Sequence, residues 1–152
     1  MDTQQCDNLH DAVRSGNDAC VRGLIDGGAD LNIVNAEGKT PLHQAIYFDR
    51  GAYIRMLISA GADPNVAGSY GRTPLFSAAM HGDEVYVRAL VDAGADPNVM
   101  DDTGLTPLHY ASMHGHDACA RELIAAGAKP NVVNVDGYTP SRLAAKFGHV
   151  EN

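Results

Sequence analysis

Histidine and cysteine are the side chains here that could hold a metal or attack a carbonyl, and their spacing argues against both. The histidines are His10, His43, His81, His109, His114, His116 and His149. His81 and His114 stand 33 residues apart in matching contexts, so they should belong to different structural units rather than close on one ion. His114-Gly115-His116 lacks the i, i+4 spacing that puts two imidazoles on one helix face, and no cysteine pair stands near it. A Cys–His nucleophile would need Cys119 aimed at a base in a cleft. Cys119 instead shares its periodic position with Tyr53 and Tyr86, where core packing is expected. Cys6, Cys20 and Cys119 form an odd, scattered set, which predicts no disulfide framework and a reducing compartment. No Gly-x-Gly-x-x-Gly or Gly-Lys-Ser/Thr motif follows a strand to cradle phosphate. The reading is of a chain without catalytic residues, cofactor or metal.

The elements that position these residues recur with a period of 33. Thr40-Pro41, Thr73-Pro74, Thr106-Pro107 and Thr139-Pro140 fall into register without insertion. So do Gly28, Gly61, Gly94 and Gly127, and Asn32, Asn65, Asn98 and Asn131. A fixed period of this length means stacked copies of one supersecondary unit. In each unit Thr caps a helix and Pro takes its first position. In the third, the helix runs through Leu75 to His81 and stops at Gly82. A second helix follows over about Asp83 to Ala93, with Val87, Leu90 and Val91 on one face, and Gly94 ends it. Turn-forming residues then lead through Gly104 to the next Thr-Pro, projecting as a loop. Ala45, Ala78, Ala111 and Ala144 share one column, small enough for neighbouring units to approach closely.

At these residues the chain closely resembles the ankyrin-repeat family. Thr40-Pro41-Leu42-His43 and Thr106-Pro107-Leu108-His109 match its Thr-Pro-Leu-His signature, and Gly61-Ala62-Asp63-Pro64-Asn65 its loop signature. The resemblance implies an all-α solenoid of stacked helix-turn-helix units with projecting β-turn loops, in one domain over 1–152. The expected divisions are a capping repeat over 4–31, full repeats at 34–66, 67–99 and 100–132, and a partial repeat at 133–152. It also implies that His43 and His109 bond loop backbone between repeats. The first unit lacks Thr-Pro and offers Asp7 as its cap; the last has polar Ser141 and Arg142 where Leu and His are expected. The sequence stops at Asn152 as a second helix should begin, so a half-repeat ending or a piece of a longer protein is expected. Asp49 replaces a helix-ending Gly, tolerable because Asp visits the left-handed region.

Composition narrows the partner. Nineteen Asp and Glu against 11 Lys and Arg leave a formal charge of −8, which disfavours nucleic acid and anionic membranes. No apolar run approaches a membrane span. Arg22, Arg55, Arg88 and Arg121 also repeat at 33, but on second helices beside acids, as a solvated face. A cytoplasmic or nuclear protein, monomeric by itself, is expected.

Binding should lie where the resemblance places ligands, on the concave face made by loops and first helices. There the framework is fixed and the variable columns are rich in aromatics and Met. The candidate partner-binding residues are Lys39, Tyr47, Phe48, Tyr70, Arg72, Met80, His81, Leu105, Met113, His114, Tyr138 and Phe147. Five of the nine aromatics fall among them. Met80 and Met113 could instead fill the inter-repeat core. The function expected is non-enzymatic binding of another protein, for instance as the recognition arm of a larger adaptor or signalling protein. One alternative is a small kinase inhibitor, although Pro41 to Phe48 reads as a full helix where the cyclin-dependent kinase inhibitor family shortens it. Another is a substrate for asparagine hydroxylation at Asn65, Asn98 or Asn131, against which Asn capping of local turns is set. Replacing Tyr47, Tyr70, Arg72 and Tyr138 together with Ala is expected to abolish binding while leaving melting almost unchanged.

Overall fold

The caps written into each period decide where helices start and stop. The computed structural model describes residues 8–148. Nine α-helices follow in order among them: α1 (Leu9–Ser15), α2 (Asp18–Asp26), α3 (Pro41–Tyr47), α4 (Gly51–Ser59), α5 (Pro74–His81), α6 (Glu84–Asp92), α7 (Pro107–Met113), α8 (Asp117–Ala125) and α9 (Pro140–Lys146). A 3-10 turn at Ser69–Gly71 precedes α5, and the described residues contain no strand.

Thr40 and Thr106 cap α3 and α7 with full capping boxes, in which a histidine three residues on completes the exchange. Thr73 departs from expectation. Its backbone holds the extended cap geometry, but its hydroxyl makes no cap bond. The cap of α1 is Asn8, whose side chain accepts from Asp11 N; Asp7, the expected cap, lies outside the described residues. Gly82 ends α5 at φ 83°. At the equivalent place after α3, Asp49 adopts φ 58°, the left-handed region that the missing glycine demands.

Packing follows the small-residue column. The odd-numbered helices stand in a row, α1 on α3, α3 on α5, α5 on α7 and α7 on α9. Ala45, Ala78, Ala111 and Ala144 are buried between them. The even-numbered helices form a second, looser row, α4 against α6 and α6 against α8. Leu57, Leu90 and Leu123 recur at the same place on it and are fully buried. No single pair could bury this apolar surface alone, so the stack is what makes the core. Cys119 sits in it with a thiol raised to about 11 by burial, then by Asp83, Glu84 and Glu122, and therefore not poised as a nucleophile. Cys20 is disulfide-bonded, where the sequence predicted no disulfide framework.

The loop asparagines do more than turn the chain. Asn32, Asn65 and Asn98 accept from the backbone N–H of Asp63, Asp96 and Lys129, each in the next unit, at 2.7, 2.8 and 2.8 Å. The Asn65 and Asn98 amides also donate to Gly94 O and Gly127 O at 3.1 Å. These side chains therefore tie units together, where local capping was expected.

Candidate partner-binding site

In the second and fifth units the residue just before Thr-Pro meets the last turn of that unit's first helix, Lys39 against Tyr47 and Tyr138 against Lys146. Between the loops carrying Lys39 and Arg72 and helices α3 and α5 runs a groove of about 550 Å³. Lys39, Tyr47, Tyr70, Arg72, Met80 and His81 line it, together with Glu37, Ser69, Ser77 and Ile46. Six of the twelve sequence-predicted residues are thus brought together.

Tyr47 and Tyr70 are about two-thirds exposed, and Tyr70 holds φ 61°. A side chain at positive φ outside glycine is uncommon, and here it stands the phenol out at the loop tip. Lys39 Nζ sits 5.4 Å from the Tyr47 ring centroid. Arg72 lies between two phenols, 5.1 Å from the centroids of both Tyr70 and Tyr110. Its Nε donates to Asp101 at 3.2 Å and its Nη2 to the Tyr110 hydroxyl at 2.6 Å. Tyr110 in turn donates to Asp101 at 2.6 Å.

Asp101 is buried, and burial alone would raise its carboxyl. The hydrogen bonds from Tyr110, Thr103 and Leu105 outweigh that and hold it below the usual carboxylate range. Burial and then the bond to Asp101 push Tyr110 up to about 12. The guanidinium is therefore held by a buried, hydrogen-bonded carboxylate that the surrounding donors keep in its charged form more readily than usual. Arg72→Ala would strip this buried carboxylate of its cation, which argues against including Arg72 in a variant meant to leave melting unchanged.

The remaining predicted residues sit elsewhere. Tyr138 and Lys146 meet at 4.9 Å from ring centroid to Nζ at the far end of the same row. Leu105 and Met113 are half-buried and pack against the core. Phe48 is half-buried edge-on to Tyr47, with centroids 4.9 Å apart. His114 lies 5.9 Å from His116, ring to ring, while His81, within the groove, approaches Asp49 at 3.9 Å. Phe147 is exposed. Arg22, Arg55, Arg88 and Arg121 are exposed on the even-numbered helices, with Arg88 paired to Glu122 at 2.5 Å. No cluster of three potential metal ligands occurs among the described residues, and no helix among them is long and apolar enough to cross a membrane.

The network that positions Arg72 was missed from sequence. Its signals were nonetheless present. Asp101 stands in a column otherwise holding Asn35, Gly68 and Asn134, and Phe76 in one holding His10, His43 and His109. Two departures at one boundary, beside an arginine in the groove column, mark a local change of locking chemistry.

His43 shows what was replaced. Thr40 N donates to its Nδ1 at 3.0 Å, which leaves the proton on Nε2 to be donated to Arg72 O at 2.9 Å. Burial, foremost, lowers this imidazole to about 4, so it is neutral. His109 repeats the arrangement toward Tyr138 O at 3.0 Å. His10 reaches Lys39 O at 2.8 Å in the first unit. The inter-repeat role expected of His43 and His109 is what the geometry provides.

A family model described as ankyrin repeats, written for three copies, matches residues 9–101 and 78–152. No curated protein matches the chain. With its periodic caps, paired helices and histidine links now accompanied by a match over most of its length, the chain belongs to the ankyrin-repeat family, whose members are generally protein–protein interaction modules.

Proposed function

We propose that this chain is a non-enzymatic binding module that receives a partner protein along the row of loop tips and first helices. In that role it would serve a larger adaptor or signalling assembly. The observation that carries the reading is the groove between the second and third units. It presents two largely exposed tyrosines and a pre-positioned guanidinium on a rigid scaffold. Aromatics and Arg of this kind dominate binding energy, and holding them in place beforehand removes part of the ordering cost.

The test replaces Tyr47 and Tyr138 with Ala and Tyr70 with Asn, a residue that tolerates positive φ. The partner is isolated with the unaltered chain from its native cells. The triple variant should keep its circular dichroism spectrum and melting temperature and bind that partner at least about 100-fold more weakly. Equal affinity in the folded variant would place binding on another surface.

A further inference from the structure

The arginines on the even-numbered helices are answered unevenly. Arg22, Arg55, Arg88 and Arg121 recur at the period of 33, and the column one residue on reads Gly23, Met56, Ala89 and Glu122. Arg88 reaches into the unit that follows and pairs with Glu122 at 2.5 Å. The positions that would answer Arg22 and Arg55 in the same way hold Met56 and Ala89, which carry no charge. Both arginines are exposed, and neither forms an ion pair among the described residues. They meet at one place. A depression of about 460 Å³ on α2 and α4 is lined by Arg22, Ile25, Asp26, Arg55, Met56 and Ser59. Ile25 and Met56 are half-buried and pack on the core beneath it. Asp26 is the one carboxylate in its lining, and α4 contains no acidic residue at all. It shares no lining residue with the groove between loops and first helices.

What this face can hold follows from its chemistry. The pair of Arg88 and Glu122 shows inside the chain that a carboxylate satisfies an arginine of this column. An extended polyanion is disfavoured, because Asp26 at the rim and a net charge of −8 repel a phosphate backbone. A bare phosphate would also leave Ile25 and Met56 uncovered. A protein segment that sets carboxylates beside an apolar side chain meets both requirements. We infer that the depression on α2 and α4 is a second docking surface, which takes an acidic segment of a partner protein. Its carboxylates pair with Arg22 and Arg55, and an apolar side chain covers Ile25 and Met56. The surface is independent of the groove, so both can be occupied at once.

The test selects random dodecapeptides displayed on phage against the full chain and measures the enriched peptides by fluorescence anisotropy. Three variants sort them, each shown by its melting curve to fold. The first is Arg22→Glu with Arg55→Glu, both on the surface. The second is Ala89→Glu, which gives Arg55 the partner that Glu122 gives Arg88. The third is the tyrosine variant described above. One class of peptides should keep its affinity for the tyrosine variant and carry Asp or Glu beside apolar residues. An exposed ion pair is worth up to several-fold and reversal adds repulsion, so the double arginine variant should bind this class at least about tenfold more weakly. Ala89→Glu should weaken it about threefold, and added salt should weaken it further. The inference is overturned if no such class emerges, if its peptides lack acidic residues, or if they ignore the arginine reversal. It is overturned equally if inorganic phosphate or an oligothymidylate displaces them at lower concentration than free peptide does. Peptides that are all lost on the tyrosine variant would leave the groove as the binding surface and remove this one.

Discussion

Two neighbouring boundaries in this stack are locked by different chemistry. Between the second and third units a neutral histidine does the work: His43 is held by Thr40 and donates to the carbonyl of Arg72. Between the third and fourth, Phe76 occupies the histidine's place and stacks edge-on with Tyr110 at 5.7 Å. The polar link there is rebuilt from Arg72, Asp101 and Tyr110. The first lock is internal and leaves nothing for a ligand. The second brings a cation to the groove wall and holds it. One framework thus tolerates either solution, and the exchange converts a purely structural bond into a surface feature.

The sharpest way to break this comparison is Asp101→Ala. It removes the anchor of the guanidinium and the acceptor for Thr103 N and Leu105 N. Urea unfolding should show a loss of about 3–5 kcal/mol; a loss below about 1 kcal/mol would mean the network is ornamental.

Acid should separate the two locks next. The folded pKa of His43 is about 4 against 6.5 for the free side chain. Below pH 6.5 the unfolded chain therefore takes up a proton that the folded one refuses. Stability on this account is complete above that pH and falls as pH drops toward 4, by on the order of 3 kcal/mol. Asp101 has its carboxyl lowered, so its contribution persists through this window and is lost only at more acid pH. Urea midpoints across pH 4–7 should slope downward toward acid, and His43→Gln should flatten that slope. An unchanged slope in His43→Gln would remove the histidine from the account.

The smallest contrast uses the threonines. Thr40→Val breaks a capping box and should cost about 1–2 kcal/mol. Thr73→Val should change stability by no more than about 0.5 kcal/mol in either direction, because the buried Thr73 hydroxyl has no partner to lose. Equal losses, measured by thermal melting, would mean the two caps are equivalent after all.

The architecture was legible because its signals are redundant. Thr-Pro, the helix-ending glycines and the alanine column each mark the same period, so a departure at one site, such as Asp49, could not obscure it. The start of α1 was misplaced because Asp7 and Asn8 are both competent caps and the Thr-Pro marker is missing there. Half of the candidate residues share one groove because columns facing a common side were readable from spacing. The chemistry inside it was less so. Whether Met113 and Leu105 turn to solvent or pack inward depends on the core they meet between adjacent units, which spacing alone does not give. The partners of Arg72 come from positions 29 and 38 residues downstream, a pairing that helical periodicity does not encode.

The asparagine links carry a consequence for how such a chain could grow. Each side chain reads only the backbone of the unit that follows, and backbone is the same in every copy. A 33-residue cassette cut between equivalent asparagines could therefore be duplicated or excised in frame, and the new seam would find the same donors waiting. Length is thus open to change by gene rearrangement, with binding remodelled one cassette at a time.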